Sequence, residues 1–221
     1  MLRSDFRRHL KKLQDDLIAL GSMVEKAIAK ALDALKSRDL EASRRVIRED
    51  DLIDRKRFQL EEQCINLMAM QQPLAIDLRT LIAVLHIAVE LERMGDYAEG
   101  IGKISLMMGD QPTLEPLIVI PRMADKAIDM LRRSLAALVN RDAEAAMEVI
   151  NADDEVDALY DEVYRGLLTH MIQHPATIQR ATYLLWVAHD LERIADRATN
   201  IAERVIFLVT GKMPEGNLSR Y

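Results

Sequence analysis

Apolar residues recur along most of this chain at steps of three and four. Leu184, Val187, Leu191, Ala195, Ala198, Ala202, Val205 and Leu208 form one such stripe, which is the spacing of a single face of an α-helix. Breakers interrupt the pattern at Ser37-Arg38, Gln71-Gln72-Pro73, Gly109 to Pro116, Asn140-Arg141, His174-Pro175 and from Gly211 onward. The intervals between them predict helices near 5–36, 39–70, 74–108, 117–139, 142–173 and 176–210. Most would be about 30 residues, or roughly 45 Å at the α-helical rise. Short connections make consecutive helices antiparallel, and the natural product is a bundle.

The chain repeats itself. Met23-Val24-Glu25-Lys26-Ala27-Ile28 returns as Met123-Ala124-Asp125-Lys126-Ala127-Ile128, and Leu91-Glu92-Arg93-Met94-Gly95-Asp96 returns as Leu191-Glu192-Arg193-Ile194-Ala195-Asp196, each 100 positions later. Asp50-Asp51-Leu52-Ile53-Asp54 returns as Asp153-Asp154-Glu155-Val156-Asp157 at an offset of 103. The expectation is an all-α fold of two pseudosymmetric three-helix bundles, occupying 1–110 and 117–211, with a linker at 111–116 and a tail at 212–221.

Acidic residues interrupt the buried stripes at matched places. Asp50 and Asp153 fall on the apolar seams of the second and fifth helices, with Asp54 and Asp157 one turn on. Glu92 and Asp96, and likewise Glu192 and Asp196, stand one turn apart beside the stripes of the third and sixth helices. Glu203 continues that face, and His189 and Thr199 or Asn200 extend it. Two carboxylate pairs facing each other away from water require neutralisation by protons, by internal arginines such as Arg57, Arg93 and Arg193, or by bound cations. Oxygen ligands from facing helices suit hard or borderline ions, so a multi-carboxylate metal site is expected in each half.

Composition narrows the alternatives. Of 221 residues, 49% are apolar and 30% charged, and the net charge of −6 argues against a general nucleic-acid binder. The lone Cys64 provides neither an intrachain disulfide nor a cysteine-built zinc site, which suits a reducing compartment, and its place on the inner stripe reads as core. No apolar run is long enough to cross a bilayer, and the charges in Met1 to Arg8 do not fit an export signal. His86 and His189 are not shared by the repeat and read as ordinary helix residues. No G-x-S-x-G, H-E-x-x-H or P-loop pattern is present, so no catalytic residues are expected. A carboxylate-bridged metalloenzyme and a purely structural helical scaffold are the competing readings.

The segments LERMGDYAEGIGK at 91–103 and DLERIADRATNIAERV at 190–205 resemble the signature of PhoU proteins, and Asp77-Leu78-Arg79, the paired halves and the length agree. The resemblance implies paired three-helix bundles whose E(D)xxxD motifs hold iron or zinc in some members. By position the ligands would be Asp50, Asp54, Glu92 and Asp96 in one half, and Asp153, Asp157, Glu192 and Asp196 in the other, with Asn200 and Glu203 matching the family's NIAE. Iron, zinc, manganese and magnesium are the candidate ions. Gly100 and Lys103 depart from the pattern and predict a weaker site, or none, in the first half. The implied role is a non-catalytic cytoplasmic adaptor, peripheral to the inner membrane through its partners and often a homodimer. It would restrain the phosphate-starvation response by linking the ATPase subunit of the phosphate-specific ABC transporter to a phosphate-sensing histidine kinase.

Overall fold

The structure, a computed structural model, describes residues 3–71, 73–111, 114 and 119–212. Helix α1 (Arg3–Ser37), α2 (Leu40–Gln71) and α3 (Ile76–Met108) build the first half. In the second half, α4 (Val119–Asn140), α5 (Ala143–Asn151), α6 (Asp153–Gln173) and α7 (Ile178–Thr210) follow, with a short 3-10 turn at Pro175–Thr177 before α7. Among the described residues there is no strand. Of the expected linker and tail, only Gln111, Leu114 and Lys212 lie within the described residues.

The helices begin and end for local reasons that the repeat preserves. Arg38 and Arg141 take left-handed backbone, with φ of 57° and 53°, and close α1 and α4. In each case the next N–H reaches back five residues, from Asp39 to Ala34 and from Asp142 to Ala137, both at 3.0 Å. The same aspartates open the following helix: Asp39 accepts from the Ala42 N–H at 2.8 Å, and Asp142 accepts from Glu144 and Ala145 at 3.0 Å. Gly109 and Gly211, with φ of 65° and 76°, end α3 and α7.

One helix expected over 142–173 is instead two. Ala152 remains right-handed, but its N–H is shared between the Glu148 and Val149 carbonyls, both at 3.1 Å. Asp153, Asp154 and Glu155 then occupy the first turn of α6. Free N–H groups and the positive end of the helix dipole favour acids there.

The apolar stripes bury as the spacing requires. Leu13, Leu17, Leu20, Val24, Ile28 and Ala31 of α1 are wholly inaccessible, and the core is one continuous cluster through both halves. Cys64 belongs to it, and burial pushes its thiol up to about 12. Helices α3 and α7 pack along the centre of the molecule and run antiparallel, since Glu90 meets Asn200 while Gly100 meets Asp190. Helices α1 and α4 cross the same seam, with Arg132 paired to Glu25 at 2.6 Å. The first and third helices of one half therefore meet their repeat partners in the other, α1 with α4 and α3 with α7, as a pseudo-two-fold axis perpendicular to the helices demands.

Candidate metal centre

In the first half, α2 supplies Asp50 and Asp54 and α3 supplies Asp96. One oxygen from each lies within 4.8 Å of the other two. Oxygens sharing a divalent ion at roughly 2.1 to 2.5 Å lie no more than about 5 Å apart, so these three need little movement to hold one. Two further observations fit a cation. Asp50 Oδ1 is buried with no hydrogen-bond partner, and the space above it exists because residue 95 is glycine. A Cβ at Gly95 would stand 3.2 Å from Asp50 Oδ1 and 3.1 Å from Ile53.

The electrostatics are those of an uncompensated site. Burial, then Asp96, Glu99, Asp54 and Glu92, push the Asp50 carboxyl up to about 7. Asp96 is raised by burial and then by Glu92, Asp54 and Glu99. Glu92, the fourth expected ligand, is drawn aside by Arg57, whose guanidinium lies 3.5 Å from it and 2.6 Å from Glu61. The sequence departures at Gly100 and Lys103 make no contact with the trio, although the charge of Lys103 opposes the rise of Asp96. Lys103 pairs with Glu99 at 2.5 Å, and Gly100 faces Asp190 across the seam between the halves.

The second half gathers the matching acids differently. Asp153 is pushed up to about 7 by burial, then by Asp196, Asp157, Asp154 and Glu192, which places the four expected ligands in one neighbourhood. Among the described residues, however, only the first-half trio reaches ligand-like closeness. Arg193 lies between Glu192 and Asp196, 3.2 Å from Glu192 Oε2 and 3.0 Å from Asp196 Oδ2. His189 Nδ1 is 3.2 Å from the same Glu192 oxygen, and Glu192 is buried.

Of Asn200 and Glu203, expected to extend this second set, Asn200 bonds across the seam. The Asn200 amide donates to Glu90 Oε2 of α3 at 3.0 Å, beside Arg197 at 3.2 Å. Glu203 is raised by burial, with Arg204 opposing and Glu90 adding to the rise. The pseudo-two-fold places Asp190 opposite Gly100, and burial alone pushes Asp190 up to about 7. Glu90 and Asp190 are acids one repeat apart, a coincidence of offset that is the signal for them in the sequence.

Comparison with known proteins agrees with this architecture. A family model described as the PhoU domain matches twice, at residues 17–105 and 120–205, once on each half. The chain belongs to the PhoU family. It is 37% identical to the phosphate-specific transport system accessory protein PhoU homolog of Clostridium acetobutylicum over 98% of this chain and 100% of that protein. The Aquifex aeolicus protein of the same name is 36% identical over 93% of each chain. The crystal structure of PhoU from Pseudomonas aeruginosa superposes with a TM-score of 0.88 at 32% identity, covering 94% of this chain and all of that one. That of the phosphate transport system regulatory protein PhoU from Streptococcus pneumoniae also gives 0.88, at 30% identity, covering 95% and 99%. No helix among the described residues is long and apolar enough to cross a membrane.

Proposed function

We propose that this protein is a non-catalytic regulator of phosphate uptake. It restrains phosphate-starvation signalling by coupling the ATPase subunit of the phosphate-specific ABC transporter to a phosphate-sensing histidine kinase. The observation that carries the reading is the full-length match, in both halves, to proteins named as phosphate-specific transport accessory proteins. Its place is the cytoplasm, at the inner membrane through those partners, and its form a homodimer. The carboxylates fit a metal-binding role. Asp50, Asp54 and Asp96 offer oxygen alone, a donor set that suits hard ions such as magnesium and manganese.

A chromosomal deletion tests the regulatory role. The deleted strain should express phosphate-starvation genes in high phosphate, and re-introducing the intact gene should silence them. A deletion strain that keeps those genes silent would contradict the proposal.

A further inference from the structure

The two halves solve one electrostatic problem with different cations. In the first, the residue that follows the motif glutamate, Arg93, is half exposed and turns away to Glu90 at 3.7 Å. The motif glutamate, Glu92, is met from the facing helix by Arg57. Among the described residues no arginine or lysine bridges Asp50, Asp54 and Asp96, and Lys103, paired to Glu99, reaches Asp96 only through its charge. In the second half, Tyr160 stands where the repeat places Arg57, so α6 brings no arginine to that position. Arg193, the repeat partner of Arg93, folds inward and bridges Glu192 and Asp196 at 3.2 and 3.0 Å. Ala195 also replaces Gly95, adding a methyl where the first half has open space above its buried carboxylate oxygen.

We propose that Arg193 is a resident counter-cation that takes the place of metal in the second half. The chain then binds metal first at Asp50, Asp54 and Asp96, and at Asp153, Asp157, Glu192 and Asp196 only by displacing Arg193. This deepens the metal-binding reading above and rests on it. The chemistry follows from the guanidinium. It is charged at every physiological pH and donates from a fixed planar fork, so it satisfies both motif carboxylates at once. An entering ion must break both contacts and must do so in a half-buried site, where an arginine that is 28% exposed cannot simply swing into water without losing them. The first-half trio makes no such demand. The outcome inverts the ranking that the sequence suggests, because Gly100 and Lys103 touch none of the three clustered oxygens.

Manganese titration of metal-free full-length protein, with free Mn²⁺ read by electron paramagnetic resonance, tests this in four proteins: wild type, Arg193→Met, Arg193→Lys and Asp96→Asn. Wild type should show one tight class of sites that Asp96→Asn abolishes. Arg193→Met should keep that class and gain a second, at least tenfold tighter than any weaker class in wild type. Lysine keeps a charge but cannot bridge both carboxylates, so Arg193→Lys should gain a smaller part of the same class. Thermal unfolding supplies a readout apart from binding. Metal-free Arg193→Met should melt below wild type, and manganese should recover the difference. A wild-type isotherm in both Arg193 variants, with the tight class still lost in Asp96→Asn, overturns this inference and leaves the first-half site standing. No manganese bound by any of the four overturns both.

Discussion

Gly95 of α3 lies against the Asp50 carboxylate of α2, so close that a methyl group on it would stand 3.2 Å from Oδ1. Alanine is the better helix former by up to about 1 kcal/mol, yet that methyl would also press on Ile53 at 3.1 Å. Gain and crowding oppose each other in stability but not in binding, because the space lost belongs to the carboxylate. Gly95→Ala should therefore change unfolding free energy by less than about 1 kcal/mol while weakening manganese affinity about tenfold, equivalent to about 1.4 kcal/mol. Unchanged affinity in a folded variant would show that the glycine serves helix packing alone.

The seam between the halves depends on Glu90. Its Oε2 receives Arg197 at 3.2 Å and Asn200 at 3.0 Å, and both cationic and anionic side chains are largely buried. Glu90→Ala strands the Arg197 charge and should cost about 1.5 to 3 kcal/mol in urea unfolding. Replacing both residues, as Glu90→Leu with Arg197→Met, should recover part of that loss, since an apolar pair carries no desolvation cost. A single-variant loss below about 0.5 kcal/mol would mean that α3 and α7 are held by apolar packing alone.

Asp190 makes the seam sensitive to pH. Burial pushes its carboxyl from 3.8 up to about 7, and Asp50 and Asp153 are raised to the same value for broader reasons. A raised folded-state pKa means that the folded protein holds protons which the unfolded chain has released. Stability of the metal-free protein should therefore fall as pH rises from near 4 to near 7, and level off above that. Asp190→Asn, which stays neutral, should flatten part of the fall when melting temperature is followed from pH 5 to 8. A variant with the same slope as wild type would mean that water reaches Asp190 in solution.

Much of this was legible in the sequence. Periodicity placed the long helices, and the offsets of 100 and 103 paired the halves, because a core-facing stripe and its caps must be kept wherever the fold is kept. Asp50, Asp54 and Asp96 stood out as acids on or beside buried stripes. What stayed hidden depends on where long side chains turn. Arg57 and Arg193 were visible as possible neutralisers, but spacing says nothing of which carboxylate a guanidinium reaches. Asn200 and Glu203 lie on the ligand-bearing helix, yet Asn200 bonds to Glu90 and the charge of Glu90 acts on Glu203, because α7 packs against α3 at that height. The hitch at Ala152 was masked because Val149 and Val156 keep the heptad spacing across it, with only Asp153 on the seam between them.

Anomalous diffraction from crystals of the full-length protein grown with manganese tests the central claim most directly. A peak bounded by Asp50, Asp54 and Asp96, absent from crystals of the Asp50→Asn plus Asp96→Asn variant, is the predicted result. Crystals that hold manganese elsewhere, or none between those three side chains, would contradict it.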